Sequence, residues 1–184
     1  MYISSNTETV IENEIEQAVI SLSRHYKVDE ALTRAIIRQE TNSCFSAIRF
    51  EEHLKSANWY LRLLDDDEKK DDFCFCSFGI MQILYGMAKH HGFKGKPFDL
   101  MCPYNSVAYG LEYYTYLARK LYYFDKAISA YNQGESLRQY TRGKNKGKFL
   151  NYQYVENVMK YYLEYGGNPE YVYPEIREWY ATNK

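Results

Sequence analysis

Hydrophobic residues recur every three to four positions along most of the chain, which is the spacing of one face of an α-helix. This spacing predicts a short helix around Trp179 and five longer ones, over residues 9–26, 31–43, 106–123, 124–134 and 151–165. Few segments show the alternation typical of strands, and the sequence contains no internal repeat. The pattern therefore predicts a mainly α fold with little or no sheet.

The predicted helix over residues 31–43 carries the first candidate for chemistry. Asp29 is suited to cap its N-terminus. Four residues share one face at helical spacing: Leu32, Ala35, Ile36 and Gln39. Glu40 follows Ile36 by one turn, so we expect its carboxyl group at the edge of the apolar face, where desolvation raises a carboxyl pKa. A raised pKa suits a general acid; the simpler alternative is a surface carboxylate at a helix end.

Two later segments contain groups suited to hold a sugar chain against Glu40. Residues 77–84 (SFGIMQIL) form a short apolar stretch in which Gly79 gives backbone freedom, and Gln82 offers a donor and an acceptor for a hydroxyl or acetamido group. Residues 128–134 (ISAYNQG) end a predicted helix, with Gly134 as its C-cap.

Length and charge narrow the functional classes. The 184 residues suit one domain, residues 1–184, with a substantial core. A formal net charge of −1 gives no basis for binding nucleic acid or a membrane surface, and no apolar run reaches transmembrane length. Tyr is over-used, with 21 copies; its flat face and polar tip suit sugar contact, although most copies are expected to be half-buried helix residues.

Three charged or reactive features have simple interpretations. The acidic block over residues 65–72 is interpreted as a solvated loop rather than a metal site. The basic segment over residues 136–148 either is a solvated loop or faces an anionic wall polymer. The cysteines lack zinc spacing and are predicted to be free thiols: Cys44, Cys74, Cys76 and Cys102.

Taken in order, these segments resemble the soluble lytic transglycosylase family, which has the lysozyme-like fold shared with goose-type lysozyme. In the family's helix ending in Glu-Ser, Glu40 of IIRQETNS corresponds to the catalytic acid, and Thr41 replaces the usual Ser. The G-L-M-Q motif, preceded by Ser or a similar residue, corresponds to Ser77, Gly79, Ile80, Met81 and Gln82.

The family's A-Y-N-x-G motif corresponds to Ala130, Tyr131, Asn132 and Gly134. Its E-T-x-x-Y-V motif is matched in part, by Tyr154 and Val155, because Leu150 and Asn151 stand in place of the acid and the Thr. The resemblance covers about residues 28–162.

The resemblance implies a peptidoglycan glycan strand as substrate and no metal or organic cofactor. Glu40 would protonate the glycosidic oxygen, then take a proton from the 6-hydroxyl as a 1,6-anhydro ring closes. Tyr131, Asn132 and Tyr154 would position the N-acetyl group. The remaining substrate-binding residues implied are Ser77, Gly79, Met81 and Gln82, of which the last two would line the sugar-binding floor.

Two alternatives remain open. In a hydrolytic muramidase of the goose-type lysozyme kind, a second carboxylate would activate water; the candidates are Glu51, Glu52 or an Asp in residues 65–72. A non-catalytic wall-binding or phage structural protein belongs to a different class, and the intact Glu40 argues against it.

The segment AIRFEEHL also resembles phage cell-wall enzymes of the same superfamily, in which an RFE sequence follows the catalytic helix. The first 17 residues have neither the basic region nor the apolar core of a secretory signal. We therefore expect a monomer synthesised in the cytoplasm that acts on the bacterial wall in the periplasm, with a phage-encoded origin favoured.

Overall fold

The computed structural model of the chain describes residues 5–183. Residues 1–4, which begin the segment expected to lack a signal peptide, lie outside the described part, as does residue 184. The elements follow in this order: α1 (Ser5–Tyr26), α2 (Glu30–Thr41), β1 (Ile48–Phe50), α3 (Asn58–Leu61), β2 (Cys76–Phe78), β3 (Ile83–Leu84), α4 (Tyr85–His90), α5 (Pro103–Leu121), α6 (Phe124–Gln133), α7 (Tyr152–Glu164) and α8 (Pro174–Asn183). The predicted mainly α fold is confirmed.

The predicted ends of α2 are confirmed. Asp29 has extended backbone angles, and its side chain accepts a hydrogen bond from the Ala31 N–H at 2.9 Å, as an N-cap does. The helix ends where Asn42 adopts left-handed angles, with φ +50°. The predicted start of α1 at residue 9 is wrong, because the helix already begins at Ser5 and no Gly or Pro interrupts the residues between these positions.

A small antiparallel sheet joins the segment after α2 to residues 77–84. Its strand order is β1-β2-β3, with Ile48 opposite Phe78 and Ser77 opposite Leu84. Strands β2 and β3 form a tight hairpin whose turn contains Gly79 at φ +69°, a conformation that favours glycine. Residues 77–84 are therefore a hairpin, and every residue of β2 is buried.

The helices pack in pairs, α1 against α5 and α2 against α7. One face of α5 is buried throughout and consists of Val107, Leu111, Tyr114 and Leu117. Full burial of one such aliphatic side chain contributes about 1.5–3 kcal/mol, so these faces supply much of the stability of the fold. None of the helices in residues 5–183 is both long and apolar enough to span a membrane.

Two tyrosines of α7 bond to opposite ends of α2. The Tyr162 hydroxyl donates to Asp29 Oδ2 at 2.8 Å, and the Tyr154 hydroxyl donates to Glu40 Oε1 at 2.7 Å. At the far side of α2, Arg34 forms a two-pronged ion pair with Glu16 of α1, with both N–O distances 2.7 Å. Helix α2 is therefore held along its length, which fixes the position of Glu40.

Candidate active site

A cleft of about 840 Å³ lies over the last turn of α2. Glu40 lines it together with residues from several elements, which include Arg49, Glu51, Gln82, Tyr131 and Asn132. The cleft therefore collects the end of α2, strand β1, the turn of the β2–β3 hairpin and the end of α6. Three of the four segments identified in the sequence meet here, and the fourth, on α7, contributes Tyr154 through its bond to Glu40.

The Glu40 carboxyl group is half-buried, and its pKa is raised. Burial is the largest influence on this pKa, because it penalises the charged form. The hydrogen bond from Tyr154 and the positive charge of Arg49 lower the pKa, whereas the charge of Glu51 raises it. Desolvation outweighs the stabilising contacts, as the apolar face of α2 predicts, and Glu40 holds its proton to higher pH than an exposed glutamate.

Tyr154 and Tyr131 are both buried beside Glu40. Burial raises the pKa of each phenol well above its ordinary value, so both hydroxyls stay protonated and act as fixed donors. Tyr154 donates to Glu40, while Tyr131 donates to the Met81 carbonyl oxygen at 2.9 Å. One tyrosine therefore orients the carboxyl group, and the other ties α6 to the β2–β3 turn.

Asn132 lies exposed in the cleft and is supported by Asn151. The Asn151 side-chain N–H groups donate to Asn132 Oδ1 and to the Ser129 carbonyl oxygen, each at 3.0 Å. The Ser129 hydroxyl donates back to Asn151 Oδ1 at 2.8 Å. Asn151 is one of the two positions that depart from the fourth family motif, and in this chain it holds the third motif in place. Because Asn132 Oδ1 already accepts a hydrogen bond from Asn151, the NH₂ group of Asn132 is the part of the side chain that can donate to a ligand.

Gln82 lines the cleft, but its amide group is used inside the protein. Its Oε1 accepts from the Ser77 hydroxyl at 3.0 Å, and its Nε2 donates to the carbonyl oxygens of Ala47 and Gly79 at 3.1 and 3.0 Å. The amide therefore closes the β2–β3 turn, and its contact with an acetamido group or hydroxyl of a ligand stays a prediction.

Ser77, Gly79 and Met81 lie beneath the cleft and do not line it. Ser77 and Met81 are fully buried. A Cβ atom on Gly79 would lie 2.4 Å from the Leu100 carbonyl oxygen, so this glycine allows a close backbone approach within the protein. The expected ligand contact of these three residues is corrected to support of the cleft floor from below.

Of the candidate second carboxylates, Glu51 is the one that reaches the cleft within the described part of the chain. Its side chain is 18% exposed, accepts from Arg49 Nε at 2.5 Å and lies 3.7 Å from His53 Nδ1. Glu52 is exposed and does not line the cleft, and neither does any residue of the 65–72 block.

Sequence reasoning did not select Arg49 or the aromatic residues of the cleft wall. Arg49 stands in the AIRFEEHL segment, two residues before Glu51, and alternation along a strand places such residues on one face. Tyr113 and Tyr116 of α5 also line the cleft, with stacked rings 6.5 Å apart. They stand one residue before the buried positions Tyr114 and Leu117, at the edge of the buried face of α5. Residues 5–183 gather no cluster of three or more acidic, Cys or His side chains that could hold a metal ion.

No curated protein matches the chain. The family model described as the transglycosylase SLT domain matches residues 17–153, a stretch that contains Glu40, the β2–β3 hairpin and α6 and stops one residue before Tyr154. Because the match spans well over half of the 184 residues, the chain belongs to the transglycosylase SLT domain family, with its lysozyme-like, mainly α fold and its peptidoglycan-acting function of the lytic transglycosylase type.

Proposed function

We propose that this protein is a peptidoglycan lytic transglycosylase that cleaves the β-1,4 bond between N-acetylmuramic acid and N-acetylglucosamine. The observation that carries the proposal is Glu40: a desolvated carboxyl group with a raised pKa, in a cleft of about 840 Å³, oriented by a buried tyrosine. A cleft of that volume is large enough for sugar rings. Residues 1–184 are proposed to act as one domain and as a monomer.

In the first step, protonated Glu40 donates its proton to the glycosidic oxygen as the bond to the anomeric carbon breaks. The raised pKa of Glu40 keeps the proton available near neutral pH. Tyr154 donates to Oε1, so Oε2 is the oxygen that delivers the proton. As Glu40 becomes an anion, the hydrogen bond from Tyr154 strengthens and stabilises the charge.

In the second step, the Glu40 carboxylate accepts the proton of the muramic acid 6-hydroxyl. The oxygen freed in this way bonds to the anomeric carbon, which carries positive character, and a 1,6-anhydro ring forms. Glu40 is then protonated again, so the cycle closes without water and without a second carboxylate. The substrate's own N-acetyl group stabilises the anomeric carbon between the steps, and the Asn132 NH₂ group and the Tyr131 ring are proposed to position it.

The test is digestion of purified peptidoglycan, followed by mass spectrometry of the released muropeptides. Products one water lighter than reducing-end muropeptides are expected from the wild-type protein. Glu40→Gln should lower their formation by about 10²–10⁴-fold, since general acid–base catalysis contributes that much. Glu30→Gln, at the other end of α2, is the matched control and should retain activity. A Glu40→Gln protein that still clears peptidoglycan would remove Glu40 from the acid role.

A hydrolytic muramidase is the second candidate, and the position of Glu51 favours it. This carboxylate lines the same cleft and is mostly buried, so it could act as a base toward water. Fully hydrated reducing ends that disappear in Glu51→Gln would establish hydrolysis. Anhydro ends that persist in Glu51→Gln would exclude Glu51 as the base.

A phage-encoded origin, with action on the host wall, is also proposed, on the basis of the Arg49–Glu51 segment. Detection of the protein in purified virions, or a holin gene beside its own, would support this origin. A chromosomal housekeeping context would contradict it.

A further inference from the structure

The basic loop, residues 136–148, is attached to the cleft at both of its ends. It follows Gly134, which caps α6 two residues after Asn132, and it leads into α7, which carries Tyr154. Ser136 and Arg138, at the start of the loop, line the cleft themselves. Whatever occupies the cleft therefore lies next to this loop.

Backbone hydrogen bonds hold the loop in a defined shape. The Leu150 N–H donates to the Arg138 carbonyl oxygen at 2.8 Å, and the Tyr140 N–H donates to the Lys148 carbonyl oxygen at 2.9 Å. Phe149 is buried and anchors the returning arm. The loop is thus a short antiparallel ladder, which projects its tip from the protein beside the cleft.

The charge of the loop is of one sign. No acidic residue occurs between Glu135 and Glu156, whereas five cations do: Arg138, Arg142, Lys144, Lys146 and Lys148. Lys148 pairs with Glu156 at 3.2 Å, and Glu135 itself pairs with Lys120. Within the described residues, the other four loop cations form no ion pair with a carboxylate at 4.0 Å or less. A chain of net charge −1 therefore concentrates unpaired positive charge beside its cleft.

We propose that the basic loop binds the carboxylates of the peptide stems carried by the glycan strand in the cleft. The inference rests on the proposed function, because it takes that strand as the ligand. Each muramic acid residue bears a stem with free carboxylates, so a strand lying along the cleft presents regularly spaced anions beside Arg138 and the loop tip. Arg and Lys pair with carboxylates through charge-assisted hydrogen bonds, and the loop cations supply them.

The experiment measures binding to insoluble sacculi from which phosphodiester polymers have been removed with hydrofluoric acid. Glu40→Gln serves as the background, so that the strand is not consumed. The loop variant adds Arg142→Gln, Lys144→Gln and Lys146→Gln, which are exposed and lie outside the cleft lining. The matched control adds Lys27→Gln, Lys94→Gln and Arg119→Gln, three exposed cations that also lie outside the cleft lining.

The loop variant is expected to bind about tenfold more weakly than the background protein, whereas the control variant binds as the background does. The difference should shrink as salt rises from 50 to 500 mM, since exposed charges are screened. Sacculi whose carboxylates have been amidated with carbodiimide and methylamine should bind loop variant and background protein equally. Equal melting temperatures of the two proteins would show that the loop variant is folded.

Equal binding of the loop variant and the background protein to sacculi that have not been amidated would overturn the inference. So would a difference that survives amidation, or one that appears only on sacculi that retain phosphodiester polymers. Turnover of the wild-type chain is measured separately. If the wild-type protein releases anhydro muropeptides and the loop variant binds sacculi normally, only the inference about the loop is contradicted. If the wild-type protein releases none, the proposed function is contradicted, and the binding comparison still decides the role of the loop.

Discussion

Glu40 is subject to opposing influences. Burial among apolar neighbours raises its pKa, and the hydrogen bond from Tyr154 lowers it. A fully apolar site would hold the proton too tightly to release it, and a fully polar one would lose the proton before the reaction. The position of Tyr154 therefore sets how readily Glu40 gives up its proton, and the pH dependence of activity should report this contact.

Tyr154→Phe removes the hydroxyl and keeps the ring that packs in the core. Because the lost hydrogen bond lowers the Glu40 pKa, the alkaline limb of the pH–rate profile should move to higher pH. Hydrogen bonds to charged groups are worth about 1.5–3 kcal/mol, so the rate of the chemical step should fall by about 10- to 100-fold. The measurement is turnover of peptidoglycan from pH 4 to 9.

Tyr162→Phe is the matched control on the same helix. It removes a hydroxyl that bonds to Asp29 and to the Asn168 N–H, far from the acid along α2. This variant should melt at lower temperature while its pH–rate profile stays in place. An alkaline limb that moves equally in both variants would contradict the assigned role of Tyr154.

Glu40→Gln should be more stable than the wild-type protein at neutral pH. A raised folded-state pKa stabilises the fold below the unfolded pKa, and this stability is lost as pH rises through the folded pKa. Glutamine is neutral throughout and still offers an acceptor to Tyr154, so the difference in melting temperature should be small in acid and grow with pH. Each kcal/mol corresponds to about 2–4 °C for a chain of this size.

Glu16→Gln is the matched control, because the pKa of Glu16 is shifted in the direction opposite to that of Glu40. The hydrogen bond from Arg34 holds the Glu16 pKa below its ordinary value, so its stabilising effect is present above the unfolded pKa and is lost as pH falls. This variant should be less stable than the wild type at neutral pH and match it in acid. Melting curves from pH 3 to 8 test both variants; a Glu40→Gln offset that is the same at every pH would count against a buried, titrating Glu40.

At the scale of elements, the backbone of the β2–β3 hairpin supports the site from below, while Gln82, Ile83 and Leu84 line the cleft. Thr41, at the end of α2, donates to the Ile80 carbonyl oxygen at 3.0 Å, and Tyr131 of α6 donates to the next carbonyl oxygen, that of Met81. The turn thereby receives one bond from α2 and one from α6. Its shape should matter for activity even though Ile80 and Met81 are buried.

Gly79→Ala should disrupt this turn. The added Cβ would meet the Leu100 carbonyl oxygen at 2.4 Å and Ser106 Oγ at 2.6 Å, on top of the strain of φ +69°. We expect a loss of about 3 kcal/mol or more in the free energy of unfolding, measured by urea denaturation. Gly92→Ala, at φ +97° with no atom within 4 Å of the added Cβ, carries the backbone strain alone and should cost about 1–2 kcal/mol. Equal losses in the two variants would contradict the close approach.

The sequence predicts the long helices because their buried faces repeat at helical spacing, as on α2 and α5. It does not predict strands β1 and β2, because each has three residues and lacks the alternation that identifies a strand: all of β1 is exposed and all of β2 is buried. Motif order selects Glu40 and Asn132, both of which line the cleft. It cannot distinguish a residue that lines the cleft from one such as Met81 that supports it, since that depends on which way the turn folds.

For the whole molecule, burial shifts the pKa of many tyrosines in the part of the chain that the structure describes. Burial is the largest cause of a raised pKa in nine of them, and it brings the Tyr162 pKa to about 12. The nine are Tyr26, Tyr60, Tyr85, Tyr113, Tyr114, Tyr131, Tyr154, Tyr162 and Tyr173. Phenols in the unfolded chain ionise near pH 10, so stability falls as pH rises above about 10. We therefore expect the whole fold to unfold in alkali in one cooperative transition.

Spectrophotometric titration at 295 nm tests this expectation. The tyrosines whose pKa is raised by burial should ionise late, in a steep step that coincides with loss of helical ellipticity. An absorbance curve that reaches full tyrosine ionisation while the helices remain intact would contradict it.

The bond between Tyr154 and Glu40 joins residues 114 positions apart in the chain. During synthesis, Glu40 therefore leaves the ribosome long before the helix that orients it has been made. In an unfinished polypeptide, Glu40 lacks the hydrogen bond from Tyr154 and the packing of α7 against α2, and it is fully accessible to water. The pKa of Glu40 is then that of an ordinary glutamate. The chain therefore acquires an oriented Glu40 with a raised pKa only after α7 has been translated and has packed against α2.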